Sequence, residues 1–352
     1  MFNQELHIEK YKIGKTQPVF IIAEVGVNHN GDLELAKKLI QEAARCGADC
    51  VKFQTFKAER VVLSNAPKAH YQLKTTSVDE SQLEMLKSLE MSMDAYTEII
   101  KCCEEEGVLF ISTPYNVEDV DFLDKLGVSA FKLASIHAAE PWFARYVASK
   151  GKPVILSTGM ATMSEVAATV SAIKNTGNND LILLQCTTNY PSKIEDSNLL
   201  AMKTMQEAFD VVAGYSDHTD DDAACIVSVA LGAKVIEKHF TLDKSLPGPD
   251  QTTSANPVEF SRLVKNIRNA ELSLGSLVKE PCEIEKINEK GMRRSIVAKC
   301  SIGIGVEITD DMIALKRPSS GISPMYLDEI IGRKTLNAIS QDDLIRWSDI
   351  GE

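Results

Sequence analysis

Eight short apolar runs alternate with amphipathic segments between residues 19 and 275, and this alternation limits the possible folds more than any other feature of the sequence. Each run has the length of a buried strand, and each following segment has the apolar spacing of a helix. Strands that are joined through helices lie parallel in a sheet. The predicted strands are 19–26, 50–56, 108–114, 130–135, 153–159, 181–187, 211–217 and 235–241.

Eight strand–helix units over this length favour a (β/α)8 TIM barrel over an open doubly wound sheet. No G-x-G-x-x-G sequence follows the first strand, so the usual mark of a dinucleotide-binding sheet is missing. A longer polar segment, 57–93, is expected to cross the barrel mouth, with a helix at 81–90. The predicted barrel helices are 33–46, 94–106, 117–126, 141–149, 163–175, 199–209, 221–231 and 257–274.

The alternation stops at Gly275, and the rest of the chain has a different character. Residues 276–292 are charged and are interpreted as a linker or connecting helix. Short β-like runs at 295–298 and 308–309 follow, among glycines and a proline that break regular structure. We therefore predict a barrel domain at 1–275, a linker at 276–292 and a small, mostly β domain at 293–352.

The charge balance and the first residues argue against several classes of protein. The 352 residues carry a net charge of −12, which gives no general attraction for nucleic acid or anionic membranes. The start lacks the regions of a signal peptide, and no apolar run approaches the roughly 18 residues of a membrane span. Eight cysteines are scattered without paired-ligand spacing, which is typical of reduced packing residues. The sequence predicts a soluble, cytoplasmic protein.

Polar residues lie at or just beyond the carboxyl ends of the predicted strands. In a barrel these ends meet at one mouth, where the active sites of such proteins lie. A single polar strand end is usually a satisfied structural group, but a whole set indicates a shared site. The residues are Glu24, Lys52, Gln54, Thr113, Lys132, Ser135, Ser157, Tyr190, Ser216, His218, Glu237 and His239.

Two histidines, His218 and His239, follow consecutive predicted strands and lie 21 positions apart. That spacing suits two neighbouring βα units better than a zinc finger or a single metal-binding helix. Two neutral imidazoles leave a divalent cation with open positions, as in a Lewis-acid site that polarises a carbonyl. The alternative is that the two histidines are unrelated polar positions.

The remaining mouth residues favour a small ligand that carries both phosphate and carboxylate. Lys52, Lys132 and Lys238 supply positive charge, although Lys238 is expected on the opposite face from its neighbours. Glu24 is a candidate general base or anchor for a metal-bound water, and a salt bridge to Lys52 is the structural alternative. Short hydroxyl donors complete the anion site: Thr113, Ser135, Ser157 and Ser216.

Several of these residues lie in longer segments that are characteristic of one family. The segments are IAEVGVNHNG (22–31), VKFQTF (51–56), SQLEM (81–85), ILSTGM (155–160), YSDHT (215–219), EKHFT (237–241), GPD (248–250) and KRP (316–318). They resemble the sialic acid (N-acetylneuraminate) synthase family, which includes legionaminate synthases. The similarity runs over nearly the whole chain, and residues 293–352 resemble the family's antifreeze-like (SAF) domain.

The resemblance implies a metal-dependent condensation of phosphoenolpyruvate with an open-chain N-acetylated amino sugar and water. The products would be a nonulosonic acid and phosphate. N-acetylmannosamine, which gives N-acetylneuraminate, is the favoured sugar. The alternative is 2,4-diacetamido-2,4,6-trideoxymannose, the sugar of an N,N'-diacetyllegionaminate synthase. From another class, the alternative is a non-catalytic carbohydrate-binding scaffold.

The resemblance also implies a role for each site residue. His218 and His239 would hold Mn²⁺ or Mg²⁺, and Glu24 would position or deprotonate the attacking water. Arg317 would complete the site of the other subunit in a domain-swapped homodimer. Phosphoenolpyruvate would bind to Lys52, Thr113, Lys132, Ser135, Ser157 and Ser216, and the sugar to Gln54, Tyr190 and Asp250.

Two positions depart from the pattern of the resembled family. After Ser135 the family commonly has a Gly-Glu pair, whereas this chain has Ile136 and His137. That glutamate is expected to contact the sugar, so His137 is a further sugar-site candidate and leaves the identity of the sugar open. Near the end of the sixth strand the family often has Asn, and here Thr188 or Asn189 could serve.

Overall fold

The computed structural model describes residues 1–69, 72–76 and 80–351. The chain forms two compact units, Met1–Gly275 and Ser276–Glu352. Residues 70, 71 and 77–79 of the predicted 57–93 crossing, and residue 352 of the predicted small domain, lie outside the described residues. Within the described residues, no helix is both long and apolar enough to cross a membrane.

The first unit is a closed barrel of eight parallel strands, which confirms the predicted fold. An unpredicted antiparallel hairpin, β1 (Glu5–Ile8) and β2 (Tyr11–Gly14), precedes it. The last barrel strand pairs with the first, with Val235 opposite Phe20. The barrel strands are β3 (Phe20–Gly26), β4 (Cys50–Thr55), β5 (Leu109–Pro114), β6 (Phe131–Leu133), β7 (Val154–Ser157), β8 (Leu181–Cys186), β9 (Val212–Asp217) and β10 (Val235–His239).

The first helix of this unit shows capping and apolar spacing together. The Asp32 side chain accepts a hydrogen bond from the N–H of Leu35, and the apolar side chains Ala36, Leu39 and Ile40 are buried. The helices are α1 (Leu33–Arg45), α2 (Ala58–Val61), α3 (Gln72–Thr75), α4 (Gln82–Ser88), α5 (Ala95–Glu106), α6 (Val117–Leu126), α7 (Pro141–Ala148), α8 (Met163–Lys174), α9 (Leu200–Phe209), α10 (Ala223–Ala230) and α11 (Pro257–Leu274).

The barrel interior follows the two-residue period of the strands. Apolar side chains fill its amino-terminal half, and the hairpin adds Leu6, Ile8 and Ile13 to the same cluster. The hairpin therefore packs against that end of the barrel. The barrel contributes Phe20, Ile22, Cys50, Leu109, Ile111, Ile155, Ile182, Leu184, Val212 and Val235 from its strands, and Ala130 from the position before β6.

Helix α4 of the polar crossing packs on the mouth side of the barrel. Met85 and Leu89, in and after α4, form a buried cluster with Val27 and Phe56, which follow β3 and β4. Ser81 caps α4 through a reciprocal pair of hydrogen bonds with its third residue. The helix predicted at 81–90 is thereby confirmed in the part of the crossing that the structure describes.

The second unit contains the predicted charged connection as helix α12 (Glu283–Met292), followed by a small β structure. Strand β11 (Ser295–Ala298) pairs antiparallel with β12 (Ile313–Lys316), and a short helix α13 (Leu327–Ile330) follows. The strand predicted at 308–309 is wrong. Ile308 is buried, but it lies in a loop and donates its N–H to the carbonyl of Arg333.

Candidate active site

Every second side chain of a barrel strand points into the barrel, and this alternation brings most predicted site residues to the inner face of the mouth. Glu24 follows Phe20 and Ile22 at two-residue intervals, so it faces inward above the apolar layer. The same period places Glu237 and Cys186 inside the barrel, although neither had been assigned a role. The sequence held a signal for both: each lies two positions after an apolar residue of the barrel interior, Val235 for Glu237 and Leu184 for Cys186.

Glu237 lies between Lys52 and Lys132, two of the lysines that were predicted to bind an anion. Its Oε1 lies 3.6 Å from Lys52 Nζ and 3.5 Å from Lys132 Nζ. The Ser216 hydroxyl donates a hydrogen bond of 3.0 Å to the same oxygen. All four side chains are buried. Two buried cations therefore share one carboxylate, and a second acid, Glu24, lies 2.8 Å from Lys52.

Burial and these acids act in opposite directions on the two lysines. Burial alone would lower the pKa of Lys52, but Glu237 and Glu24 outweigh it and raise that pKa. Burial lowers the pKa of Lys132, which Glu237 only partly offsets. Lys132 Nζ also donates to Ser157 Oγ at 2.7 Å and to the Leu133 carbonyl at 3.1 Å. Lys52 donates to Thr113 Oγ1 at 3.3 Å.

Lys238 faces away from this cluster, as expected from strand parity. Its Nζ donates to Asp217 Oδ2 at 2.5 Å and to the Thr219 and Asp221 carbonyls at 2.6 and 2.9 Å. These bonds satisfy all three donors of the ammonium group. Lys238 therefore fixes the loop after β9, which carries His218, and does not join Lys52 and Lys132.

The two histidine rings lie side by side, with centroids 5.3 Å apart. His218 Nδ1 lies 2.6 Å from the Thr187 carbonyl, which makes Nδ1 the donor and leaves the lone pair on Nε2. His239 Nδ1 is buried without a hydrogen-bond partner among the described residues. Burial, together with His218 and the nearby lysines, holds the pKa of His239 well below its usual range. A neutral imidazole and a fixed tautomer suit a divalent cation.

The surroundings of the histidine pair include one aromatic ring and one acid. The Tyr190 ring centroid lies 4.1 Å from that of His218 and 5.5 Å from that of His239. Asp250 Oδ2 lies 3.8 Å from His239 Nδ1. Burial and the charge of Glu24 raise the pKa of Asp250 to about 6. Among residues 1–69, 72–76 and 80–351 there is no group of three or more acidic, cysteine or histidine metal ligands.

Two successive hydrogen bonds connect Glu24, through Gln54, to Tyr115, a residue that the sequence analysis had not selected. Gln54 Nε2 donates to Glu24 Oε1 at 2.9 Å, and the Tyr115 hydroxyl donates to Gln54 Oε1 at 3.1 Å. Tyr115 thus fixes which end of the Gln54 amide faces Glu24. Burial raises the pKa of Tyr115, so its hydroxyl stays protonated and remains a donor.

His137 lies behind Tyr115 in a 3-10 turn, Ser135–Ala139, and the strand predicted at 130–135 already ends at Leu133. Its ring is buried, 4.5 Å from Phe143 and 5.9 Å from Tyr115 between centroids. Nδ1 lies 2.7 Å from Glu140 Oε2, and Nε2 has no partner within the described residues. Ser135 Oγ accepts the N–H of Gly159 at 3.0 Å.

One predicted site residue lies outside the barrel unit. Arg317 follows β12 in the second unit. All eight cysteines are free, as predicted, and six are buried. Cys186 is the one beside the site, with its Sγ 3.9 Å from His218 Nδ1.

Comparison with known proteins identifies the family. The NeuB family model matches residues 39–279, and the SAF domain model matches 293–351. The chain is 43% identical to the N,N'-diacetyllegionaminic acid synthase of Campylobacter jejuni, over 93% of this chain and 98% of that protein. It is 41% identical to the enzyme of the same name from Legionella pneumophila, over 96% of each chain.

A solved structure agrees with these relatives. The N-acetylneuraminic acid (sialic acid) synthetase of Leptospira borgpetersenii, crystallised with citrate, superposes with a TM-score of 0.72 at 33% identity. The match covers 82% of this chain and 95% of that one. The family model covers most of the barrel unit, and relatives above 40% identity match nearly end to end. The chain therefore belongs to the NeuB family and carries an SAF domain after its barrel.

Proposed function

We propose that this enzyme condenses phosphoenolpyruvate with an N-acetylated aldose and water to form a nonulosonic acid and phosphate. The observation that carries the proposal is the buried Lys52–Glu237–Lys132 cluster with Thr113, Ser157 and Ser216 around it. Two ammonium groups and short hydroxyls at one barrel mouth suit a ligand with a phosphate and a carboxylate. The names of the relatives as acid synthases support the same reaction class.

In the proposed reaction, C3 of phosphoenolpyruvate forms a C–C bond with the aldehyde carbon of the sugar. Water adds to C2, and the C2–O bond to phosphate breaks, which releases inorganic phosphate. The proposal assigns to Glu24 the role of orienting or deprotonating that water, and the contacts of its two carboxylate oxygens with Lys52 and Gln54 support this role by fixing the group in position. Burial raises the pKa of Glu24 more than Lys52 lowers it, so this carboxylate is a stronger base than an exposed one.

We infer that His218 and His239 hold a divalent cation, Mn²⁺ in preference to Mg²⁺. When bound, the cation supplies Lewis-acid polarisation of the aldehyde oxygen. The residues fit this role because Thr187 fixes the His218 tautomer and His239 is kept neutral by burial. Two imidazole nitrogens favour Mn²⁺, since Mg²⁺ prefers an all-oxygen shell.

For the sugar, we propose 2,4-diacetamido-2,4,6-trideoxymannose, with N-acetylmannosamine as the second candidate. The sequence had favoured N-acetylmannosamine, but two relatives above 40% identity are named N,N'-diacetyllegionaminic acid synthases. His137 supports the change because its ring is buried between aromatic side chains and offers no carboxylate to sugar hydroxyls. Gln54, Tyr190 and Asp250 are the proposed sugar contacts within the barrel. Arg317 of one subunit is proposed to complete the site of the other in a domain-swapped homodimer.

The direct test measures phosphate release and product mass with phosphoenolpyruvate, Mn²⁺ and each sugar. We expect phosphate only when all three components are present, and a product with the mass of the diacetamido nonulosonic acid to form fastest. Lys132→Gln should abolish release, whereas Lys203→Gln, an exposed lysine on α9, should not. Metal-dependent sugar binding without phosphate release from any sugar would instead favour the non-catalytic scaffold.

A further inference from the structure

A cavity lies at the amino-terminal end of the barrel, the end opposite the mouth that carries the candidate active site. Its volume is about 1030 Å³, at the upper end of the range for small-molecule sites. The hairpin β1–β2, the start of β3, the residue before β10 and the end of α11 line it. The lining shares no residue with the candidate active site.

The lining is cationic in a protein that is strongly anionic overall. Five cationic and two acidic side chains face the cavity, while the whole chain carries a net charge of −12. Arg268 engages both acids, at 3.2 Å from Asp49 and 2.9 Å from Glu271. The excess positive charge is therefore carried by the lysines, which are Lys10, Lys12, Lys15 and Lys234.

Lys234 is the most informative of these lysines because it is partly buried without a carboxylate partner. Its Nζ donates 3.0 Å to the Gln17 carbonyl, and no ion pair involves it within the described residues. Burial lowers the pKa of Lys234, and the negative charge of Glu271, which already pairs with Arg268, offsets this only in part. Lys12 and Lys15 are exposed at the same cavity and likewise form no ion pair in the described chain.

Apolar and aromatic side chains form the rest of the wall. The Tyr11 and Phe20 rings meet edge to face with centroids 5.0 Å apart. Leu272, on α11, is 81% exposed although it lines the cavity. Such a wall suits a flat apolar group, and several ammonium groups suit a dianion.

We propose that this cavity binds a phosphate monoester with an aromatic body, held by Lys12, Lys15 and Lys234 with its ring against the Tyr11–Phe20 wall. The site goes beyond the proposed function and stands independently of it, since the two sites share no residue. It adds a second ligand class at the end of the barrel away from the chemistry.

The test is a titration of the full chain with 1-naphthyl phosphate, followed by fluorescence polarisation. We expect saturable binding that is retained in Lys132→Gln, which removes an active-site cation. The triple variant Lys12→Gln, Lys15→Gln, Lys234→Gln should bind about tenfold more weakly or worse, because three charge contacts are lost. A control triple, Lys101→Gln, Lys203→Gln, Lys265→Gln, changes the net charge equally at exposed positions outside the cavity and should bind normally.

A second pair of variants guards against misfolding. Leu272→Glu places a negative charge in the cavity at an exposed helix position and should also weaken binding. Val258→Glu, on the same helix and 77% exposed outside the cavity, should not. The proposal is overturned if the wild type does not bind the probe, if Lys132→Gln abolishes binding, or if the cavity variants bind as tightly as their controls.

Discussion

The carboxylate of Glu237 lies 3.5 Å from the ammonium group of Lys132 inside the barrel mouth. The same oxygen is 3.6 Å from Lys52, while Glu237 Oε2 has no hydrogen-bond partner among the described residues. An anion that enters the mouth therefore meets two lysines already neutralised in part by Glu237. This carboxylate is expected to keep the lysines in place before the anionic substrate arrives.

Replacing Glu237 tests this relationship. Glu237→Gln leaves two buried cations with less compensating charge, and we expect a loss of about 3–5 kcal/mol in the free energy of unfolding. Phosphoenolpyruvate or phosphate should restore more stability to this variant than to the wild type, since the anion replaces the missing charge. Thermal unfolding with and without ligand measures both effects. Glu104→Gln, an exposed helix position, is the control. Equal ligand stabilisation in variant and wild type would contradict the prediction.

Tyr115→Phe tests whether the Gln54 amide must be oriented. The variant keeps the ring that packs against Phe56 and His137 but removes the donor to Gln54 Oε1. Losing one hydrogen bond in the site corresponds to about a tenfold fall in kcat/KM for the sugar, with little change in thermal stability. Tyr146→Phe removes a hydroxyl that donates to Asp121 near the surface and should leave kcat/KM unchanged. A wild-type kcat/KM in Tyr115→Phe would show that Gln54 needs no such anchor.

Strand periodicity predicted the barrel and the inner face of its mouth, because every strand repeats the same two-residue rule. The same rule also places Glu237 and Cys186 inside the barrel. It does not predict that Lys52 and Lys132 share Glu237, because the three residues lie on different strands and meet only when the barrel closes. The hairpin β1–β2 was missed because its turn places Glu9, not glycine or asparagine, at a φ of 51°. The β-branched pair at 308–309 suggested a short β-like run, but Ile308 lies in a loop and its backbone N–H donates to the carbonyl of Arg333.

His137→Glu tests the choice of sugar. This variant restores the carboxylate of the resembled family. We expect kcat/KM for N-acetylmannosamine to rise about tenfold relative to the diacetamido sugar, because a carboxylate that accepts a hydrogen bond from a sugar hydroxyl favours the sugar that has more hydroxyl groups. Product formation from each sugar measures the ratio. Glu140→Gln, which weakens the anchor of the His137 ring without adding a charge, is the control. An unchanged ratio in His137→Glu would assign this histidine to packing alone.

The buried His29 is expected to lower the free energy of unfolding in mild acid. Burial lowers the pKa of His29 from 6.5 to about 4, and its Nδ1 accepts the N–H of Gly31, which protonation would break. Because the pKa of His29 is lower in the folded than in the unfolded state, the unfolded chain takes up a proton first as the pH falls. The stability that neutral His29 provides is therefore fully present above pH 6.5 and is lost as the pH falls towards 4. The difference corresponds to about 3 kcal/mol. Urea unfolding at pH 7 and pH 4 should show a smaller loss for His29→Gln than for the wild type. His7→Gln, at an exposed position, should match the wild type.

Arg317 gives the sharpest test of a shared site. If the small domain of one subunit serves the barrel of the other, a heterodimer of Arg317→Ala and His218→Ala subunits contains one intact site and one doubly damaged site. We expect each homodimer to be inactive and the heterodimer to recover about half of the wild-type rate, because a two-fold dimer has two equivalent sites. Two differently tagged subunits, refolded together and purified through both tags, allow phosphate release to be measured on the heterodimer alone. A His218→Ala and His239→Ala heterodimer has a damaged barrel in both subunits and should stay inactive. Absence of activity in the verified Arg317→Ala and His218→Ala heterodimer would mean that each small domain serves its own barrel or that Arg317 lies outside the site.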